Sequence, residues 1–424
     1  MNRTLSIFLL ITCIVAPAGA SILTVPADHP TIAAALAAAL PGDVVSISSG
    51  IYFEHGLILK SDITLEGATG DPADVVIDAG NLGRVLTGTI AIENIEVKAL
   101  TLRNGSAAGG AGLSLQPAGD VTLQDCIIAG NTSSSFGGGL LLDPIFHIGS
   151  TLLFNCRFEN NSSISRGGGA AIWTGASLYD CSFTGNSSSN GTGGGLDHSD
   201  GDLLVTRTTF SGNSSRLAGG GLRSIGGITR AFSCTFVGNE IVSGNGGGAS
   251  ISDAILDGSR FESNMSGTHG GGLEASPLLR MNNCEFVDNV AHIVAGGAIV
   301  SGGTIADCLF SGNEAGVNAG GLQIQNSSGT IDDTTFENNV ALSHGGAFAS
   351  IISGGHYTFT RCSFAGDNAS YGPEGWMASD ATITLVCCVA DASRWAEGTL
   401  VLDDVDCPVA NDDVGFGDLK RRYR

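Results

Sequence analysis

Leu153-Phe154-Asn155-Cys156-Arg157-Phe158-Glu159-Asn160-Asn161, followed shortly by Gly167-Gly168-Gly169-Ala170-Ala171-Ile172, is the stretch that decides the fold. Its phenylalanine recurs as Phe183, Phe210, Phe236, Phe261, Phe286, Phe310, Phe336 and Phe364, at intervals of 24 to 28 residues. Such a period marks a solenoid, in which each repeat buries its apolar face only against its neighbours. Three residues after each Phe stands an asparagine, from Asn161 through Asn186, Asn213, Asn239, Asn264, Asn289 and Asn313 to Asn339, with Asp367 closing the series. Gly-Gly pairs then deliver Leu140, Ala170, Leu196, Leu222, Ala249, Leu273, Ala298, Leu322 and Ala347.

Each part of the unit has a physical meaning. Residues two apart in an extended chain share a face, so Cys156 and Phe158 point inward and Arg157 outward. An apolar residue three before the Cys position, such as Leu153 or Leu178, ends a second strand, because an odd offset on one face requires a bend. Leu140-Leu141-Leu142 and Leu322-Gln323-Ile324 give a third strand after the glycines. Three short strands per 25 residues close one coil. Asn suits the bend through its tolerance of the left-handed region, and stacked Asn side chains can bond from coil to coil. The rival leucine-rich-repeat pattern fits Leu153 to Asn161, but its convex half needs further leucines, and here that half is Ser/Gly-rich. A calcium-binding glycine nonapeptide roll lacks its x-Gly-x-Asp ligands.

The paired Phe-x-x-Asn and Gly-Gly-apolar motifs resemble the polymorphic outer-membrane protein repeat, within the right-handed parallel β-helix (pectin-lyase-like) superfamily. The resemblance spans about residues 100 to 370. The stretch Val25-Pro26-Ala27-Asp28-His29-Pro30-Thr31-Ile32 is similar to the cap that opens many such β-helices. The fold expected is all-β, a right-handed parallel β-helix with about 25 residues per coil and a short N-terminal capping helix over Thr31 to Leu40. In that helix Pro30 is expected at the first position, with Asp28 as capping oxygen. The 54 residues after position 370 are too few for the barrel of an autotransporter.

The expected organisation is a signal peptide over 1–20, an N-terminal cap over 21–50, the β-helix over 51–365, and closing strands with a basic tail over 366–424. Asn2-Arg3, the apolar run Leu5 to Val15 and Ala18-Gly19-Ala20 carry the signal-peptide reading, with cleavage after Ala20. Cys13 follows Thr12, which disfavours a lipoprotein site. The protein is therefore expected to be secreted or held at the cell surface. Net charge of −22, from 41 acidic and 19 basic residues, argues against nucleic acid or anionic lipid as partner. A glycan or a surface protein fits better, and no apolar run is long enough for a membrane span.

Seven of eleven cysteines (Cys126, Cys156, Cys181, Cys234, Cys284, Cys308 and Cys362) occupy one inward slot that other coils fill with Thr208, Ser259 and Thr334. A slot shared by Cys, Ser and Thr selects a small buried side chain, so these thiols are expected to be free. Cys387, Cys388 and Cys407 lie outside the ladder, where one disulfide would staple the C-terminal cap.

For chemistry, the third strand offers one aligned outward set: Asp197, Arg223 and Glu274, with Ser250 between the last two. Trp173 lies one coil earlier, and Asp200 and Asp202 lie in the following turn. Two functions from different classes fit. The first is a non-catalytic binding or structural rod of surface or adhesion type, without cofactor or metal, favoured by uniform coils with little room for cleft-forming loops. The alternative is a polysaccharide lyase or glycoside hydrolase. It would use Asp197, Asp200 and Asp202 to hold Ca2+ and substrate carboxylates, Arg223 to take a proton, and Trp173 to stack on a sugar. His269-Gly270 and His344-Gly345 occupy a variable turn slot that also holds Phe136, Arg166, Ala218 and Ala295.

Overall fold

A computed structural model describes residues 19–144, 149–326 and 328–403. The strands stack in four parallel sheets of 16, 14, 13 and 10 strands. Each coil adds one strand to a sheet in fixed register, as in Phe158↔Phe183↔Phe210 and Leu153↔Leu178↔Val205. The chain is a parallel β-helix, as its repeat predicts. At one strand spacing per coil, the sixteen-stranded sheet makes a rod about 70 Å long. No described helix is long and apolar enough to cross a membrane.

In-register parallel strands put identical side chains directly above one another. The nine Phe rings therefore stack with centroids 4.6–5.0 Å apart and planes within 7° of parallel. In the next bend, the Asn side chains from Asn131 to Asn339 are fully buried. Asn239 shows the pattern: its Nδ2 donates to the Phe210 carbonyl and to Asn264 Oδ1, both at 2.9 Å. Its Oδ1 accepts from the backbone N and Nδ2 of Asn213. The Asn-to-Asn bonds all donate toward the C-terminal coil, while each Nδ2 also donates back to a carbonyl of the preceding coil. The cysteines of the inward slot are free and buried. Cys126, Cys156 and Cys234 each donate to a carbonyl of the preceding coil at 3.4 Å, as Ser259 does through its hydroxyl. The slot thus selects a small donor, which explains why Cys and Ser interchange. Burial pushes the Cys234 thiol up to about 11. Cys387 is disulfide-bonded, Cys388 Sγ donates to the Phe359 carbonyl at 3.2 Å, and Cys407 lies outside the described residues.

The structure corrects four local expectations. A coil has four strands, not three: the Ser-rich stretch after each Asn forms strands mostly of two residues, such as Ser187–Ser188 and Ser214–Ser215, in the ten-stranded sheet. Their second residue, Ser163, Ser188, Ser215, Ser266 or Ala291, is buried. The slot before the glycines is held by Val294, not Ala295, which instead takes the left-handed position at φ +60°. In the ninth coil Phe348, not Ala347, pairs with Leu322. The helix spans Ile32–Ala38 and is capped by Thr31, whose side chain accepts from Ala34 N. Glu54 accepts from the Ile32 and Ala33 N–H groups at 2.9 Å, while Asp28 accepts from Thr24 instead. The strand Ile22–Val25 already pairs with Val44–Ile47, so the stack begins within the cap. Residues 1–18, which include most of the expected signal peptide, and the basic tail lie outside the described residues.

The C-terminal end of the Asn ladder is chemically distinct. Asp367 Oδ1 accepts from Asn339 N and Nδ2 at 2.8 and 2.9 Å, but its buried Oδ2 has no partner among the described residues. Burial raises the Asp367 carboxyl to about 6 and that of nearby Glu374 to about 7, against the pull of Arg394. A carboxyl with a higher pKa folded than unfolded holds its proton more tightly in the folded state. Stability from both groups is therefore greatest near pH 4 and is lost as pH rises through about 6 to 7. Amide hydrogen exchange over residues 366–403, corrected for its intrinsic pH dependence, should show protection falling between pH 5 and pH 8. Asp367→Asn should stabilise this end at pH 8 by on the order of 1 kcal/mol, because the new amide can donate to the Phe336 carbonyl as its neighbours do to theirs. Equal protection at both pH values in the wild type would contradict this account.

Candidate functional site

The aligned polar set lies on the outward face of the fourteen-stranded sheet. Pairing runs Asp197↔Arg223↔Ser250↔Glu274, one residue per coil, as the spacing predicts. A second row flanks it. Before each left-handed residue the chain forms an isolated bridge to the next coil, through Arg166, Thr192, Ala218 and Asn245, then His269, Val294, Asn318 and His344. Every member of this row stands five residues before its partner in the sheet, as Thr192 to Asp197, Asn245 to Ser250 and His269 to Glu274. The two rows form the wall and floor of one long face.

Contacts on this face bind coil to coil. Asp197 is fully buried, accepts from Thr192 Oγ1, and pairs with Arg223 Nη1 at 3.2 Å. Burial pushes its carboxyl above the ordinary range, while Arg223 and, more weakly, Arg166 hold it down. Glu274 accepts from Asn245 Nδ2 and Ser250 Oγ, each at 2.9 Å. His269 Nδ1 lies 3.2 Å from Asn245 Oδ1, extending that network along the wall. Arg223 and Glu274, two coils apart, thus belong to separate networks. Toward the C-terminal end the face turns apolar and aromatic, with Ile299, Ala319 and Ala349 packed against Trp376. The His344 ring sits 4.6 Å from that of Trp376 and 5.4 Å from that of Tyr371.

Trp173, Asp200 and Asp202 do not join this network. Trp173 packs edge-on against Phe136 at 5.1 Å. Asp200 is exposed in the turn beyond the strand Leu196–Ser199, at φ +74°. Asp202 accepts from Ile228 N and Arg230 Nη1 at 2.9 Å, and these two bonds hold its carboxyl below the usual range. The three aspartates expected to share a cation therefore do not converge. Among the described residues no three His, Cys, Asp or Glu side chains come together as metal ligands.

His198, absent from the sequence reading, is fully buried beside Asp197 on the opposite face of its strand. Its Nε2 lies 3.0 Å from the Thr174 carbonyl and its Nδ1 2.9 Å from Ser224 Oγ, which in turn lies 2.7 Å from Thr229 Oγ1. A carbonyl can only accept, so Nε2 carries the proton and Nδ1 accepts. Burial holds the pKa down to about 4, so the imidazole is a neutral core bridge near neutral pH. The wall residues Thr192, Asn245 and His269 were also missed as partners. Their constant five-residue offset was the available signal.

Fold and face together define a parallel β-helix built from repeats with Phe, Asn and Gly ladders. The Chlamydia polymorphic membrane protein repeat model matches residues 333–350, one stretch of these coils. No curated protein matches the chain. Among solved structures, a mannuronic-acid-specific family 6 polysaccharide lyase from human gut microbiota is similar at 12% identity and a TM-score of 0.40. That match covers 91% of this chain and 92% of that one. The A-module of an Azotobacter vinelandii mannuronan C-5 epimerase is similar at 11% identity and a TM-score of 0.24, covering 88% and 93% of the two chains. At these values neither activity carries over.

Proposed function

We propose that this protein is an exported, non-catalytic β-helix rod of surface or adhesion type. It would present its coils to a glycan or a surface protein and require no cofactor. One observation carries this reading: the aligned polar residues are engaged within the rod. Asp197 is buried against Thr192 and Arg223, and Glu274 is held by Asn245 and Ser250. A lyase base must reach the substrate proton and a glycosidase needs two carboxyls across the scissile bond. Neither arrangement is met by a carboxylate with no exposed surface and a second one three coils away. The match to the surface-protein repeat over residues 333–350 supports the same class.

The test is incubation of purified protein with pectate, alginate and glycosaminoglycans, with and without Ca2+, following unsaturated-product absorbance and reducing ends. We expect neither signal to rise, and retention of the protein on at least one immobilised glycan or host surface protein. Turnover that disappears in Asp197→Ala or Arg223→Ala would replace the rod with a carbohydrate-active enzyme of the pectin-lyase-like group.

A further inference from the structure

One corner of the rod differs from the rest. Between the ten-stranded sheet and the bridged wall row, the chain turns in two or three residues per coil. These corner segments stack because both flanks are in register, as in Ser188↔Ser215 and Thr192↔Ala218. At this corner Ile164, Leu217, Val242, Ile293, Val317 and Leu342 stand 39 to 67% exposed, and Tyr371, which follows His344 in the adjoining bridged row, stands beside them at 62%. They are interrupted only where the corner carries Ser189-Asn190-Gly191 and Gly267-Thr268. From Ile164 to Ser343 no corner segment contains an Asp or Glu, in a chain with 41 of them. The corner between the sixteen- and thirteen-stranded sheets, by contrast, carries Asp125, Asp180, Asp307 and Asp333 at its left-handed positions.

We propose that this edge is where a second copy of the chain packs, joining two rods side by side. Two observations select that occupant. Rods of net charge −22 repel, so self-association needs a contact strip free of carboxylates, and among the corners compared this one meets that condition. The area is also sufficient: seven half-exposed side chains at on the order of 100 Å² each give about 700 Å² per copy, near the ~800 Å² per partner of a standard interface. An anionic membrane is a poorer occupant, because Arg166 and Arg216 are the only fully charged cations along the strip. A two-fold axis perpendicular to the rod closes the pair, with each apolar ridge lying along its counterpart. The inference concerns assembly and is independent of whether the rod binds a glycan.

Sedimentation velocity of the purified protein over ~1 to 100 µM should show a dimer, and Leu217→Glu/Leu342→Glu should weaken its dissociation constant at least about 100-fold, since each copy would bury two unpaired charges. Thr184→Glu, at an exposed position on the outer face of the thirteen-stranded sheet, should leave the dimer intact. Thermal melts by circular dichroism establish that the variants fold, and Val242→Lys supplies an independent disruption if the double variant does not. A wild-type monomer at 100 µM would overturn the proposal. So would a dimer that survives the corner substitutions or is lost in Thr184→Glu, or wild-type protein that binds phosphatidylglycerol vesicles through these residues without pairing.

Discussion

Gly220→Ala is expected to destabilise the protein by at least about 3 kcal/mol, at the upper end of what overpacking costs. A Cβ at this position would sit 2.3 Å from the Gly247 carbonyl oxygen and 2.8 Å from that of Glu240, in the next coil. Both obstacles are backbone and cannot turn aside. Relief requires the coils to separate, and that strains the hydrogen bonds from Gly220 N to Gly246 O at 3.2 Å and from Gly221 N to Gly248 O at 3.0 Å. Gly238 provides the contrast. It has φ +60° with nothing within 4 Å of its Cβ position, so Gly238→Ala should cost only the left-handed conformational penalty of about 1 to 2 kcal/mol. Urea unfolding of the two variants in parallel measures the difference. Equal losses would show that coil spacing at the stacked glycines is looser than the structure has it.

Asn239→Ala should cost about 3 kcal/mol, measured by the same unfolding midpoint. The substitution removes four side-chain hydrogen bonds at once and leaves the Nδ2 of Asn213 and the Oδ1 of Asn264 buried without these partners. An unsatisfied buried polar group costs about 1 to 3 kcal/mol, and relaxation recovers part of the total. Position along the rod matters as well. A solenoid frays from its ends, so Asn339→Ala, beside the terminal Asp367, should shift the global midpoint less while loosening the last coils. A neutral Asn239→Ala would mean that the ladder contributes register without stability.

The glycine prediction and the candidate face draw on different kinds of information. The Phe, Asn, Cys and Gly-Gly ladders were legible because period-2 alternation and a recurrent bend fix which residues point inward, coil after coil. The same regularity placed Asp197, Arg223, Ser250 and Glu274 in one row. It did not reveal what they touch. Thr192 lies beneath Asp197 only because the chain doubles back through a left-handed residue, and Asn245 meets Glu274, 29 residues on, only because the coils stack in register.

Sequence by itself determined the solenoid, its core ladders and the inward slot for small side chains, because these depend on spacing along the chain alone. Tertiary structure decided the rest. The fourth sheet was hidden because a strand of two residues shows no alternation, so Ser187-Ser188 looks like any polar turn. The shift from Ala347 to Phe348 was hidden because a third small residue beside Gly345-Gly346 leaves the register undetermined until the neighbouring strand selects it. Whether Asp197 is a free carboxylate or a buried structural one was settled only by the neighbouring coils, since burial and pairing are properties of what surrounds a side chain.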